Sequence, residues 1–131
     1  MKRVIDSHAL MTFLEREPGF EKVESFFVTA AEKDTNLLMS SVNYGEVYCI
    51  VLRECGRQKL EEVVRVIESL PIDIVTVDKE LAQEAGNFKA HKKMSYADCF
   101  AAALAKINKA ELITGDKEFK EVENVITVSW I

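Results

Sequence analysis

No stretch of this 131-residue chain approaches the roughly 20 consecutive apolar residues that a helix needs to cross a bilayer, so no membrane partner is expected. The three cysteines, Cys49, Cys55 and Cys99, form no CxxC pair, and the two histidines, His8 and His91, lack ligand-like spacing. A zinc site is therefore not expected; reduced thiols are, with Cys49 and Cys99 packing helices. Positive charge is also scarce: 17 Lys and Arg stand against 22 Asp and Glu, a net charge of −5. Such a balance argues against a protein that grips nucleic acid by charge alone. Repeats, low-complexity tracts and linkers are missing, so residues 1–131 read as one domain, long enough for a real core. The first acid, Asp6, comes too soon after Met1 for a secretory leader, and the expected compartment is the cytoplasm.

What is present is an alternation of short apolar strands with helical stretches. Apolar residues make up 48% of the chain, as in a folded protein. The first strand, Val4-Ile5, ends at Asp6-Ser7, either of which can cap a helix from His8 to about Glu17, stopped by Pro18-Gly19. A second helix starts at Phe20. Leu37 to Ser41 is apolar on both faces and so reads as a central, parallel strand. Asn43 to Cys55 is a helix apolar on nearly every side, with Asn43 and Glu46 as a loose capping box and Gly56 as its stop. Arg57 to Leu70 is an amphipathic helix ended by Pro71, followed by a strand over 72–77 and a helix from Asp78 to about His91. An alanine-rich helix opened by Asp98 follows, then a strand at Glu111–Thr114, a helical turn at Lys117–Glu121 and a last strand at Val125–Val128. Strands alternating with helices predict an α/β fold with a parallel sheet.

Four acids stand where apolar stretches end or turn helical: Asp6, Glu46, Asp98 and Asp116. Each can be a mere cap, since the dipole favours acids at helix starts. Jointly they say more. Asp6 and Asp116 follow the first and fourth strands at their carboxyl ends, where open parallel sheets bind ligands. Glu46 and Asp98 can reach the same rim from first helical turns. Four clustered carboxylates repel each other by on the order of 4 kcal/mol per pair at ~4 Å, so they take up protons or bind cations. Oxygen-only ligands select a hard ion, Mg²⁺ or Mn²⁺, and such ions support attack on phosphate.

In order, Val4-Ile5-Asp6-Ser7, Ser40-Ser41-Val42-Asn43-Tyr44-Gly45-Glu46-Val47, Ser95-Tyr96-Ala97-Asp98 and Ile113-Thr114-Gly115-Asp116-Lys117-Glu118-Phe119 make the chain resemble PIN domains, most of all the small VapC-type toxins. The resemblance spans the whole chain. It implies a three-layer fold with a five-stranded parallel sheet in the order 3-2-1-4-5 between helices. It implies a metal-dependent endoribonuclease, the toxin of a type II toxin–antitoxin pair, with Asp6, Glu46, Asp98 and Asp116 as the acidic quartet holding Mg²⁺ or Mn²⁺. Ser7 and Thr114 match supporting hydroxyls, and Glu118 matches a further acid. A small antitoxin and a homodimer are the implied partners, with the helices at 43–55 and 57–70 suited to receive one. Lys89, Lys92 and Lys93, just before Asp98, are the leading candidates for an RNA path, and Trp130 is expected to pack the C-terminus. The alternative is a catalytically inactive module of the same fold that binds RNA or protein. A dehalogenase-type phosphatase would need a second acid two residues after Asp6, where His8 stands.

Overall fold

The structure is a computed structural model that describes residues 1–131. Its elements are β1 (Arg3–Ile5), α1 (Ser7–Leu14), α2 (Phe20–Glu32), β2 (Leu37–Ser40), α3 (Ser41–Cys55), α4 (Arg57–Ser69), β3 (Ile72–Val75), α5 (Lys79–His91), α6 (Tyr96–Asn108), β4 (Glu111–Thr114), a 3₁₀ turn (Lys117–Val122) and β5 (Val128–Trp130). All strands are parallel in the order β3-β2-β1-β4-β5, the order expected. No helix is long and apolar enough to cross a membrane.

The strand period of two sorts the core into two halves. Val4 and Leu112 point to one face, where α5, α6, Phe119 and Val122 cover them. Ile5 and Ile113, their chain neighbours, point to the other, where α1 to α4 pack with Leu37 and Met39. Both faces are therefore covered, which is why the central strands read as unbroken apolar runs. The alanines of α6 answer a packing need: Cys99 through Ala105 are all buried, and small side chains let this helix press against the sheet while α5 and α3 flank it.

Five local expectations are corrected. β5 lies at Val128–Trp130, not Val125–Val128: the amides of Val125 and Ile126 still turn back to the Val122 carbonyl, and pairing with β4 begins only at Leu112 with Val128. β3 ends at Val75, where its pairing with Ser40 ends. α1 stops at Leu14, because Arg16 takes a left-handed backbone ahead of Pro18. α3 starts at Ser41 and is capped by the Ser40 hydroxyl, which accepts from the Asn43 N–H, so the Asn43–Glu46 capping box does not form. Cys49 is exposed, because it falls on the face of α3 turned away from α1, α4 and α6; Cys99 is buried as expected. Trp130 is half-buried in β5 against the core, its indole N–H donating to Glu123 Oε2 at 3.0 Å.

Candidate functional site

The parallel topology brings the carboxyl ends of β1 and β4 side by side, with Ile5 opposite Ile113. The next residues in each strand's path are Asp6 and, past Gly115, Asp116. The first turns of α3 and α6 arrive at the same rim, carrying Glu46 and Asp98.

Asp6 is fully buried and caps α1: Oδ1 accepts from the Ala9 N–H at 2.8 Å, and Oδ2 accepts from the Thr114 hydroxyl. The same Thr114 oxygen accepts from the Asp116 N–H at 2.9 Å, so one hydroxyl ties both acids together. Burial pushes the Asp6 carboxyl up to about 7 against these two donors, and the charges of Asp116 and Glu46 add to the rise.

Asp98 is nearly as deep, 5% exposed. Its helix is capped by Ser95, whose hydroxyl accepts from the Asp98 N–H at 3.2 Å. In a full capping box the acid would reach back to the Ser95 N–H. Here that amide donates instead to Glu118 Oε1 at 2.8 Å, which leaves the Asp98 carboxyl turned to the acids. Burial first, then hydrogen bonding shared with Glu118 and Asp116, pushes Asp98 up to about 9. The dipole of α6 favours an anion at this position by only about 1 kcal/mol, and desolvation outweighs it.

Glu46 is held by two donors, the Ser7 hydroxyl at 2.7 Å and the Asn43 amide at 3.1 Å. Asn43 was read only as a capping residue, yet it is fully buried, donates also to the Ala97 carbonyl at 3.1 Å and accepts from the Ser40 hydroxyl at 2.7 Å. It therefore locks the Glu46 turn of α3 to the Asp98 turn of α6. The polar run Ser40-Ser41-Val42-Asn43, straight after an apolar strand, is the signal that could have singled it out. Asn43→Ala leaves the Ala97 carbonyl and the Ser40 hydroxyl short of partners in the interior. A loss of about 2–3 kcal/mol is expected, read as a lower melting temperature.

Glu46, Asp98, Asp116 and Glu118 line one open cavity of about 650 Å³, together with Ser7, His8, Ser95, Glu15, Glu17 and Glu54. The lining thus holds seven carboxylates and neither lysine nor arginine. Donor atoms of Asp98, Asp116 and Glu118 all lie within 4.8 Å of one another. The chain's three ion pairs, Arg3–Glu111, Lys59–Glu62 and Lys106–Glu84, involve none of them. Three oxygen ligands with no basic partner fit a small hard cation. Asp6 stands behind this trio with both oxygens engaged, and Glu46 stands beside it. Lys89, Lys92 and Lys93 lie outside the cavity lining; the Lys89 ammonium donates to the Met94 carbonyl at 2.7 Å.

Fold and site together define an open parallel α/β domain with a carboxylate cleft at the carboxyl ends of its central strands. The family model described as PIN domain matches residues 3–125. The chain belongs to the PIN domain family. It is 28% identical over 127 residues to VapC ribonuclease Mb0640 of Mycobacterium bovis, covering 92% of this chain and 94% of that protein. Its fold matches VapBC2 from Rickettsia felis, solved bound to a promoter DNA fragment, with a TM-score of 0.80 at 15% identity over 98% of both chains. It also matches DNA-bound VapBC from Salmonella typhimurium, with a TM-score of 0.77 at 16% identity, covering 98% of this chain and 97% of the other.

Proposed function

We propose that this protein is a Mg²⁺- or Mn²⁺-dependent endoribonuclease, the toxin of a toxin–antitoxin pair. The observation that carries the reading is the trio Asp98, Asp116 and Glu118, close enough to share one ion and without a basic partner. The likeness to the Mycobacterium bovis VapC ribonuclease supports the substrate class.

Asp98, Asp116 and Glu118 would hold the metal. When bound, the metal supplies Lewis-acid stabilisation of the charge that builds on the phosphate. The chain does the rest. Thr114 and the buried Asp6 keep Asp116 aimed into the cleft. Glu46, steadied by Ser7 and Asn43, accepts a hydrogen bond from the attacking water and takes its proton. Attack in line breaks the P–O3′ bond as the new P–O bond forms, and the leaving 3′ oxygen takes a proton from solvent, which yields a 5′-phosphate and a 3′-hydroxyl.

Mn²⁺ calorimetry on the wild type beside Asp98→Asn and Asp116→Asn is the first test. Saturable binding that both variants lose, followed by RNA cleavage that a chelator stops, is the expected result. Binding unchanged by either variant would reduce the acids to caps and favour a binding module. The partners follow from the same reading. A small antitoxin would cover the α3–α4 face, where exposed Tyr48 shares a groove with Leu60 and Val64, in keeping with the VapBC assemblies among the structural relatives. The working form would be a cytoplasmic homodimer, with Lys89, Lys92 and Lys93 as an RNA path beside the cleft.

A further inference from the structure

Gly115 joins Thr114, the hydroxyl that bridges Asp6 and Asp116, to Asp116 itself. Its glycine is not explained by backbone conformation, since the positive-φ glycines are Gly19 and Gly56. It is explained by His8. A Cβ on Gly115 would stand 2.7 Å from His8 Cε1, 3.1 Å from its Nδ1 and 3.2 Å from Ile131 Cγ1. The glycine is a seat for an imidazole ring. That seat holds the ring in the wall of the acidic cleft, and the residue is exposed there. The histidine ring bond that does form in the chain is the one between His91 Nδ1 and the Asn87 carbonyl; His8 makes none.

The charge pattern gives that ring a use. A phosphodiester entering this cleft meets seven carboxylates, and His8 is the single nitrogen-bearing side chain in the lining. An imidazole carries at least one N–H in either tautomer, so it can donate to a phosphate oxygen without being charged. We propose that His8 is a substrate-binding residue of this cleft, its ring N–H donating to a backbone phosphate oxygen of single-stranded RNA. The inference rests on the ribonuclease reading and names a contact that reading does not contain.

The test uses a labelled single-stranded RNA of mixed sequence, with binding read by anisotropy in Ca²⁺ and cleavage read in Mn²⁺, on wild type, His8→Ala and His8→Gln. Mn²⁺ affinity of each protein is measured separately by calorimetry. Loss of one donor to a charged oxygen is expected to weaken RNA binding roughly tenfold in His8→Ala. His8→Gln, which keeps an N–H, should recover part of it, and both variants should hold Mn²⁺ as the wild type does. RNA binding unchanged in His8→Ala overturns the proposal. So does a fall in Mn²⁺ affinity of the same size, since His8 would then be only a prop for Asp116 through Gly115. Wild-type binding without cleavage would defeat the ribonuclease reading and leave the His8 contact standing on its own measurement. A wild type that binds no RNA overturns both.

Discussion

Asp98→Asn is expected to lower RNA cleavage by about two orders of magnitude or more while making the metal-free protein more stable. The first effect follows from the loss of one of three anionic ligands, which the amide matches in shape but not in charge. The second follows from burial. The folded chain holds a proton on Asp98 up to about pH 9, whereas the unfolded chain releases it near the ordinary value of 3.8. At neutral pH that release favours unfolding, and asparagine has no proton to release. The fold itself should survive, because the amide can still donate to the Glu118 and Asp116 carboxylates that now share the Asp98 proton. A rise of about 5 °C or more in melting temperature at pH 7 is expected, shrinking toward zero near pH 4. Lost cleavage with a lowered melting temperature would mean a damaged fold and would count against the cluster.

The wild type itself should carry a matching pH dependence. Asp6 and Asp98 are both raised in the folded state, Asp6 to about 7 and Asp98 to about 9. Their contribution to stability is therefore complete below about pH 4, where the unfolded chain also keeps its protons. It is lost progressively as pH rises through 7 and then 9. Metal-free melting temperatures should fall across that window, and the slope should be shallower in Asp98→Asn by the share of one proton. A divalent ion has to displace the shared protons, so Mn²⁺ should bind more tightly at pH 8 than at pH 6. At a concentration of 100 times its dissociation constant it should add about 2.7 kcal/mol to stability. The protein would then melt higher with Mn²⁺ than without it, most clearly on the alkaline side. Melting temperatures that stay flat from pH 5 to 9, with or without Mn²⁺, would show that Asp6 and Asp98 are not held in this buried cluster in solution.

The elements that were legible in advance were those with local causes. Val4-Ile5 and Leu37 to Met39 are apolar runs too short for helices, and Asp6 and Asp78 cap the helices that follow them. Where a boundary depended on a partner strand, local pattern failed. Val125 to Val128 has the composition of a strand, yet β5 begins only at Val128, where the register of β4 permits pairing. The Asn43–Glu46 spacing matches a capping box, yet Ser40 caps the helix, and Asn43 is spent on Glu46 and Ala97. Glu118 looked auxiliary because nothing local marks it. Its place beside Asp98 and its bond to the Ser95 amide arise only when the 3₁₀ turn packs against the start of α6.

The sequence by itself determined an α/β domain and placed four acids at the ends of strands and the starts of helices. Periodicity, capping and turn chemistry act over a few residues, so a linear chain displays them. Tertiary structure alone decided which groups meet: Asp98, Asp116 and Glu118 close enough to share one ion, Asp6 behind them on Thr114, and His8 against Gly115. Those distances join residues far apart in the chain. They are set by sheet order and by the close packing of α6, and the same packing supplies the desolvation that lifts Asp6 and Asp98 away from ordinary carboxylates.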